Sequence, residues 1–430
     1  MRRFQSMSFT AAVMSAAVSL PVLLSFACAG SGTGEDSTLT VFEGARLIVG
    51  DGSAPIDDAV ILVEDDRFVA AGPSADVEIP RGAARVDLSG KTVIPAIVNA
   101  HIHLSSDRAE RAEQLQHMAY YGAGAVVSLG LDSGEAPFEM RGEIVPGGAR
   151  SFTAGRGITS PEPERSEVPF WVTTEAEARS AVQELAAREA DLVKIWVDDR
   201  GGRYEKLSPA LYGAIIDEAH AHGLRVTAHV FTLEDAKGLL RAGIDMFAHG
   251  VRDLDVDDEF MALWGERPEV VLVPNLPGPG LASDLSWLSG TVPATELAEM
   301  QERSTDRPAA QEAFGIQARN LARFNESGMR IAFGTDGSAP WSVHQELEDM
   351  VRSGMTPAEV ITAATSTSAE LMNLADLGTV AAGKAADFVV LDANPLDDIT
   401  NTRRISAVYL RGAAIDREAL SARLLAGGAE

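Results

Sequence analysis

The residues with most chemistry to offer in this 430-residue chain are His101, His103, Lys194, His229, His249 and Asp336. Four of the chain's eight histidines are among them, and all six lie in or at the end of the short apolar runs IVNAHIH, LVKIWV, VTAHV, MFAHG and IAFGTD. Side chains two apart on a strand face the same side, so His101 and His103 can point together at one centre. Any one of these residues alone is more readily a packed or capping side chain than a ligand. Together they would have to meet on one rim by accident. Neutral imidazoles and carboxylate oxygens suit zinc and similar divalent ions. Lys194 has apolar neighbours on both sides, where an ammonium is costly unless paired. It either forms a salt bridge with Asp198 or Asp199, or it is a neutral amine that has taken up carbon dioxide. The resulting carbamate is an anion with two oxygens that can bridge two cations.

Such ligands need a frame that brings distant strand ends together. Eight strand-like runs occur between residues 95 and 378: IPAIVNA, AVVSLG, ARSFTAG, DLVKIWVD, LRVTAHV, DMFAHG, EVVLVPNL and RIAFGTD. Helical stretches separate most of them, among them TEAEARSAVQELAAREA and SPALYGAIIDEAHAHG. In the latter, Ser208 is an N-cap, Pro209 a first-turn residue and Gly223 a stop signal. Eight β/α units predict an α/β fold of the TIM-like (β/α)8 barrel type, whose sites lie at the C-terminal ends of the strands. Residues 39–94 and 379–430 instead alternate apolar and polar residues between turn signals. Each piece is short of strands by itself, so the two are expected to build one small β-sandwich, with 95–378 forming the barrel.

Composition narrows the function. The formal net charge is −27, a surface that repels phosphate backbones and argues against nucleic-acid binding. Arg2 and Arg3 precede an apolar stretch ending near Ala27, the pattern of a secretory or lipoprotein signal over residues 1–29. Cleavage after Ala29 and lipidation of Cys28 are competing readings. Either places the protein in the periplasm or cell envelope, and the second attaches it to a membrane. Cys28 is the only cysteine, and residues 30–38 read as a flexible tether.

Seven segments carry a resemblance: KTVIPAIVNAHIHL, DLVKIW, VTAHV, FAHG, AFGTDG, MTPAEVITAATSTSAELM and GTVAAGKAADFVVLDANPL. With them the chain resembles the amidohydrolase superfamily over residues 39 to about 415, and most closely its imidazolonepropionase-like and prolidase-like, Xaa-Pro dipeptidase-type branch. The resemblance implies a binuclear zinc centre. His101, His103 and Asp336 would hold the buried ion, His229 and His249 the exposed one. Lys194, carboxylated by carbon dioxide, would bridge the two with a hydroxide. Asp336 would act as general base and acid in cleaving an amide of an N-acyl amino acid, a dipeptide or a xenobiotic.

Three departures bear on the substrate. Asn99 stands where relatives have aspartate, a feature of deaminases of cyclic amidines that use one metal ion. Phe231 follows the His229 strand where some peptidase relatives have a carboxylate-binding tyrosine. Arg252 could replace that contact, or pair with Asp253 or Asp255. Arg156 and Trp171, in the long segment 156–173, are candidate substrate contacts, as is His344 at a helix start; the segment 277–307 is a candidate lid. A lactonase or phosphotriesterase-like esterase and a non-catalytic metal-binding lipoprotein are further alternatives. The expected partner is a small molecule, and association of like chains stays open.

Overall fold

The computed structural model describes residues 39–337 and 339–427. The expected signal segment, Cys28 and the tether 30–38 lie outside them.

Both ends of the chain share one sheet. Strands Leu39–Leu47, Ile56–Glu64 and Arg67–Pro73 pair antiparallel in succession. Thr92–Pro95 runs parallel to the first of them and antiparallel to Phe388–Leu391, whose other neighbour is Ile405–Leu410. The pairing is continuous through eight strands. The unit expected as a sandwich of the two ends is therefore, in its hydrogen bonding, a single sheet. The period-two pattern of these strands brings Phe42 against Phe388 edge to face, at 5.1 Å between ring centroids, and stacks Phe388 on Tyr409 at 4.5 Å.

The eight apolar runs form strands Ile97–Ile102, Ala123–Ser128, Arg150–Thr153, Val193–Val197, Val226–Val230, Met246–Ala248, Val271–Val273 and Arg330–Ile331. The first three form a parallel sheet, and the other five form a second one with the short strands Ile158–Thr159 and Phe170–Trp171. Backbone bonds join the sheets at both edges: Asp191 donates to Thr153 at 3.0 Å, and Ala100 to Phe333 at 2.9 Å. This arrangement is consistent with a TIM-like barrel. Both faces of such strands are covered, so they are apolar throughout rather than alternating. Ala100, Val127, Ala154, Leu192, Met246, Val271 and Ala332 pack in one buried cluster drawn from all these regions.

Local signals set the helices between the strands. Thr174 forms a capping box with Glu177 ahead of Glu175–Ala187. Ser208 caps Pro209–Ala221 by accepting from the Leu211 amide, and Gly223 follows its end at φ +72°. Near the last strand, the helix Pro357–Thr362 widens into a π-turn, Ala363–Thr367. The Ser368 hydroxyl just beyond it accepts from the Phe333 amide at 2.9 Å, fixing the segment that leads to Asp336.

Candidate metal centre

The strand ends converge on Asp336. The Nε2 atoms of His101 and His103 lie 3.0 and 3.1 Å from its Oδ1, and His249 Nε2 lies 3.4 Å from its Oδ2. His101, His249 and Asp336 each offer a ligand atom, all within 4.8 Å of one another. Lys194 Nζ is 3.5 Å from His101 Nε2, and Lys194 is wholly buried. The rings of His229 and His249 meet at 4.7 Å. All six candidate ligands are thus brought to one place.

The backbone bends sharply to do this. His249, Asn275 and Asp336 take φ of +130°, +43° and +56°. Such conformations cost non-glycine residues on the order of 1–3 kcal/mol and persist only where surrounding structure imposes them. The Asp336 and Thr335 amides both donate to the His101 carbonyl, which locks the last strand end to the first. Gly334 leaves the room required, since a Cβ there would lie 2.8 Å from that of His101.

Electrostatics favours the ligand forms of these side chains. Burial, seconded by the charge of Lys194, lowers the His101 pKa to about 4. Burial lowers that of His229 to about 4 against the opposing bond to Asp198, and holds His249 well below its usual value. Burial also lowers Lys194 to about 7, against the pull of Asp336. For Asp336 burial works against ionisation, but its interactions with the facing His101 and His249 rings, with hydrogen bonds from His101 and His103, outweigh it and hold the carboxyl well below the usual range. The result is a set of neutral imidazoles around a carboxylate that keeps 37% side-chain exposure.

An amidohydrolase family model matches residues 92–415. The chain belongs to the amidohydrolase family. It is 28% identical over 387 residues to the imidazolonepropionase of Deinococcus radiodurans, covering 84% of this chain and 92% of that protein. A solved Bifidobacterium longum protein assigned provisionally as a prolidase superposes with a TM-score of 0.74 at 26% identity, over 91% of this chain and 99% of its own. Phenylurea hydrolase B shares the fold, with a TM-score of 0.73 at 23% identity over 89% and 98% of the two chains. This amidohydrolase is accordingly a hydrolase of carbon–nitrogen bonds.

Members of the family generally use divalent metal ions, and the residues present fit such a group. The imidazoles of His101, His229 and His249 are held neutral, the Nε2 atoms of His101, His103 and His249 face one carboxylate, and the Nδ1 atoms of His103 and His249 are buried without a hydrogen-bond partner. The grouping differs in one respect from that implied by resemblance: His249 sits with His101 and Asp336 in the tightest cluster, while His229 bonds Asp198.

Several other side chains surround this amidohydrolase's centre. Lys194 makes no salt bridge with Asp198 or Asp199: Asp198 binds Arg200 and His229, and Asp199 accepts from the Gly202 amide. Arg252 pairs with neither Asp253, which accepts from the Leu233 amide, nor Asp255, which holds Arg319. Phe231 is 42% exposed and lines a cavity of about 380 Å³ with Asp198, Arg200 and Lys206. Asn99, buried, donates to the Thr335 hydroxyl and accepts from the His101 amide, a role in strand-end geometry.

The remaining candidates contact residues other than the six candidate ligands. Arg156 stacks on Phe170 and donates to the Val168 and Pro169 carbonyls, bracing its own loop. Trp171 is half-buried on the Phe170–Trp171 strand. His344 is buried against Tyr121 and Trp287, with Nδ1 at 3.1 Å from the Thr402 hydroxyl. Trp287 packs in the same cluster as part of the 277–307 segment.

Sequence reasoning missed two groups. Asn275 Oδ1 meets His101 Nδ1 at 2.8 Å, which fixes the ring with Nε2 towards the centre. Glu162 binds Arg200 Nε at 2.9 Å, and Arg200 binds Asp198 at 2.6 Å. Asn275 ends an apolar run as the ligands do, but its residue type carried no ligand signal. Glu162 lies in a loop without periodicity.

Proposed function

We propose that this amidohydrolase cleaves an amide of an N-acyl amino acid, a dipeptide or a xenobiotic at a centre of two divalent ions, zinc fitting the donors best, on a closed (β/α)8 barrel outside the cytoplasm. The observation that carries the reading is the convergence of His101, His103 and His249 on Asp336, with buried Lys194 against them. The location rests on the charged and apolar pattern of residues 1–29.

When bound, such ions polarise a carbonyl and activate water near neutral pH. The chain supplies the rest. Neutral imidazoles bind without first losing a proton. With its pKa near 7, Lys194 has an amine available to attack carbon dioxide, forming an N–C bond and releasing a proton. Burial penalises either charge left alone, so the carbamate would depend on the cations it helps to hold. Asp336, ionised and partly exposed, takes the proton of the attacking water and returns it to the leaving nitrogen.

The test is metal content and amine release for protein prepared with zinc and bicarbonate, wild type beside Lys194→Ala. The proposal expects about two ions per chain in the wild type, falling well below that in the variant, with release of amine from N-acyl amino acids or dipeptides. A second reading is a one-ion deaminase of cyclic amidines, favoured by the compact His101, His249 and Asp336 cluster. It expects about one ion, unchanged in Lys194→Ala.

A further inference from the structure

Two arginines reach the centre, and they differ in what neutralises them. Arg200 is held between the carboxylates of Glu162 and Asp198 at 2.9 and 2.6 Å. Arg252 makes no side-chain hydrogen bond or ion pair among the described residues, and its Nε is buried without a partner. This occurs in a chain with 63 acidic residues against 36 Lys and Arg, where a free guanidinium has no shortage of available carboxylates. The two closest in sequence, Asp253 and Asp255, are occupied by the Leu233 amide and Arg319.

The backbone holds Arg252 in place. Its amide donates to the Phe231 carbonyl at 2.9 Å, tying the loop after the His249 strand to the end of the His229 strand. The charges that act on the guanidinium are those of Asp336, Asp198 and Arg200, so it lies within electrostatic reach of the reacting centre. Divalent ions at the centre would add positive charge beside it. A partly desolvated cation in that position, with no carboxylate in direct contact, leaves its hydrogen-bond donors open to an anion from outside the protein. Two apolar side chains near it along the backbone are left open to solvent: Phe231, whose carbonyl accepts from the Arg252 amide, at 42%, and Leu254, two residues further on, at 57% exposure.

We propose that Arg252 is the anchor for a free carboxylate on the substrate, on the side of the scissile bond that carries an apolar group packed against Phe231 and Leu254. The planar fork of arginine matches a carboxylate with two parallel hydrogen bonds. Resting on the amide-hydrolase reading, this narrows the substrate from amides in general to those whose amine product is an apolar amino acid. A neutral amide would leave the guanidinium unpaired.

Non-hydrolysable probes separate binding from turnover. N-methanesulfonyl derivatives of L-leucine, L-phenylalanine and L-proline, each beside the corresponding alcohol, are titrated into metal-loaded wild type and Arg252→Met of matched metal content. The acids should bind wild type roughly 10- to 100-fold more tightly than the alcohols, and that preference should disappear in Arg252→Met. If that variant does not fold, Arg252→Lys keeps the charge without the fork, and the preference should fall there. Equal binding of acids and alcohols overturns the anchor. So does a preference that survives Arg252→Met, since the carboxylate is then held by the metal ions. Release of amine from the N-acetyl counterparts, measured on the same preparations, is independent. Hydrolysis without acid preference removes the anchor and leaves the amide-hydrolase reading standing; acid-selective binding without hydrolysis does the reverse.

Discussion

His229 Nε2 lies 2.9 Å from Asp198 Oδ2, which leaves Nδ1 as the nitrogen free to meet an ion. Asp198 is gripped in turn by Arg200, and Arg200 by Glu162, so a chain of charged contacts runs from the loop after the third of the eight strands to a candidate ligand, His229, on the fifth. A carboxylate on the far nitrogen of a ligating imidazole fixes its tautomer and orientation, and its loss typically weakens metal binding about 10- to 100-fold. Asp198→Asn should therefore lower zinc affinity by that order in a chelator competition while leaving the thermal unfolding of metal-free protein nearly unchanged. Unaltered affinity would show that Asp198 only braces Arg200.

Asp336 tests the chemistry apart from the fold. It sits at φ +56°, a conformation asparagine adopts more readily than most residues, so Asp336→Asn preserves the turn. The variant keeps an oxygen facing His101 but cannot accept the proton. Amide cleavage should fall by about 10²- to 10⁴-fold in kcat, with most of the metal retained. Full activity in the variant would take Asp336 out of the proton transfer.

Stability should carry a pH signature from a group outside the centre. Burial raises the Asp349 carboxyl to about 7, against the charge of Arg352, with Glu348 adding to the rise and Arg403 opposing it. Its folded pKa exceeds its unfolded one, so folding takes up a proton. The stability this contributes is fully present below pH about 4 and is lost as pH rises through about 7. Asp349→Asn should flatten that decline and exceed the wild type at pH 8 by on the order of 1 kcal/mol or more. Denaturant unfolding at several pH values measures it, and parallel curves for the two proteins would rule out Asp349 as the source.

The candidate ligands that meet around Asp336 were legible because each ends an apolar run, and strand ends are where such a fold collects its chemistry. Helix starts at Thr174 and Ser208 were legible for a similar local reason, since a cap is a contact over three residues. What His344 contacts was not. Opening a helix near the Asp336 loop, it could be placed at the pocket rim, yet it is buried under Trp287 and Tyr121 because the segment around residue 287 folds back over it.

By itself, then, the sequence determined which side chains could bind metal, which strands carried them and that both chain ends would build one β-rich unit, though not that its hydrogen bonding would run through a single sheet. These follow from periodicity and from residue chemistry, both short-range properties. Only the tertiary structure decided that Asn275 orients His101 across 174 positions, that Glu162 and Asp198 neutralise Arg200, and that Arg252 is left unpaired. Those outcomes depend on which loops meet after the strands have come together. Many carboxylates in this acidic chain could have reached either arginine, and long-range closure selects among them.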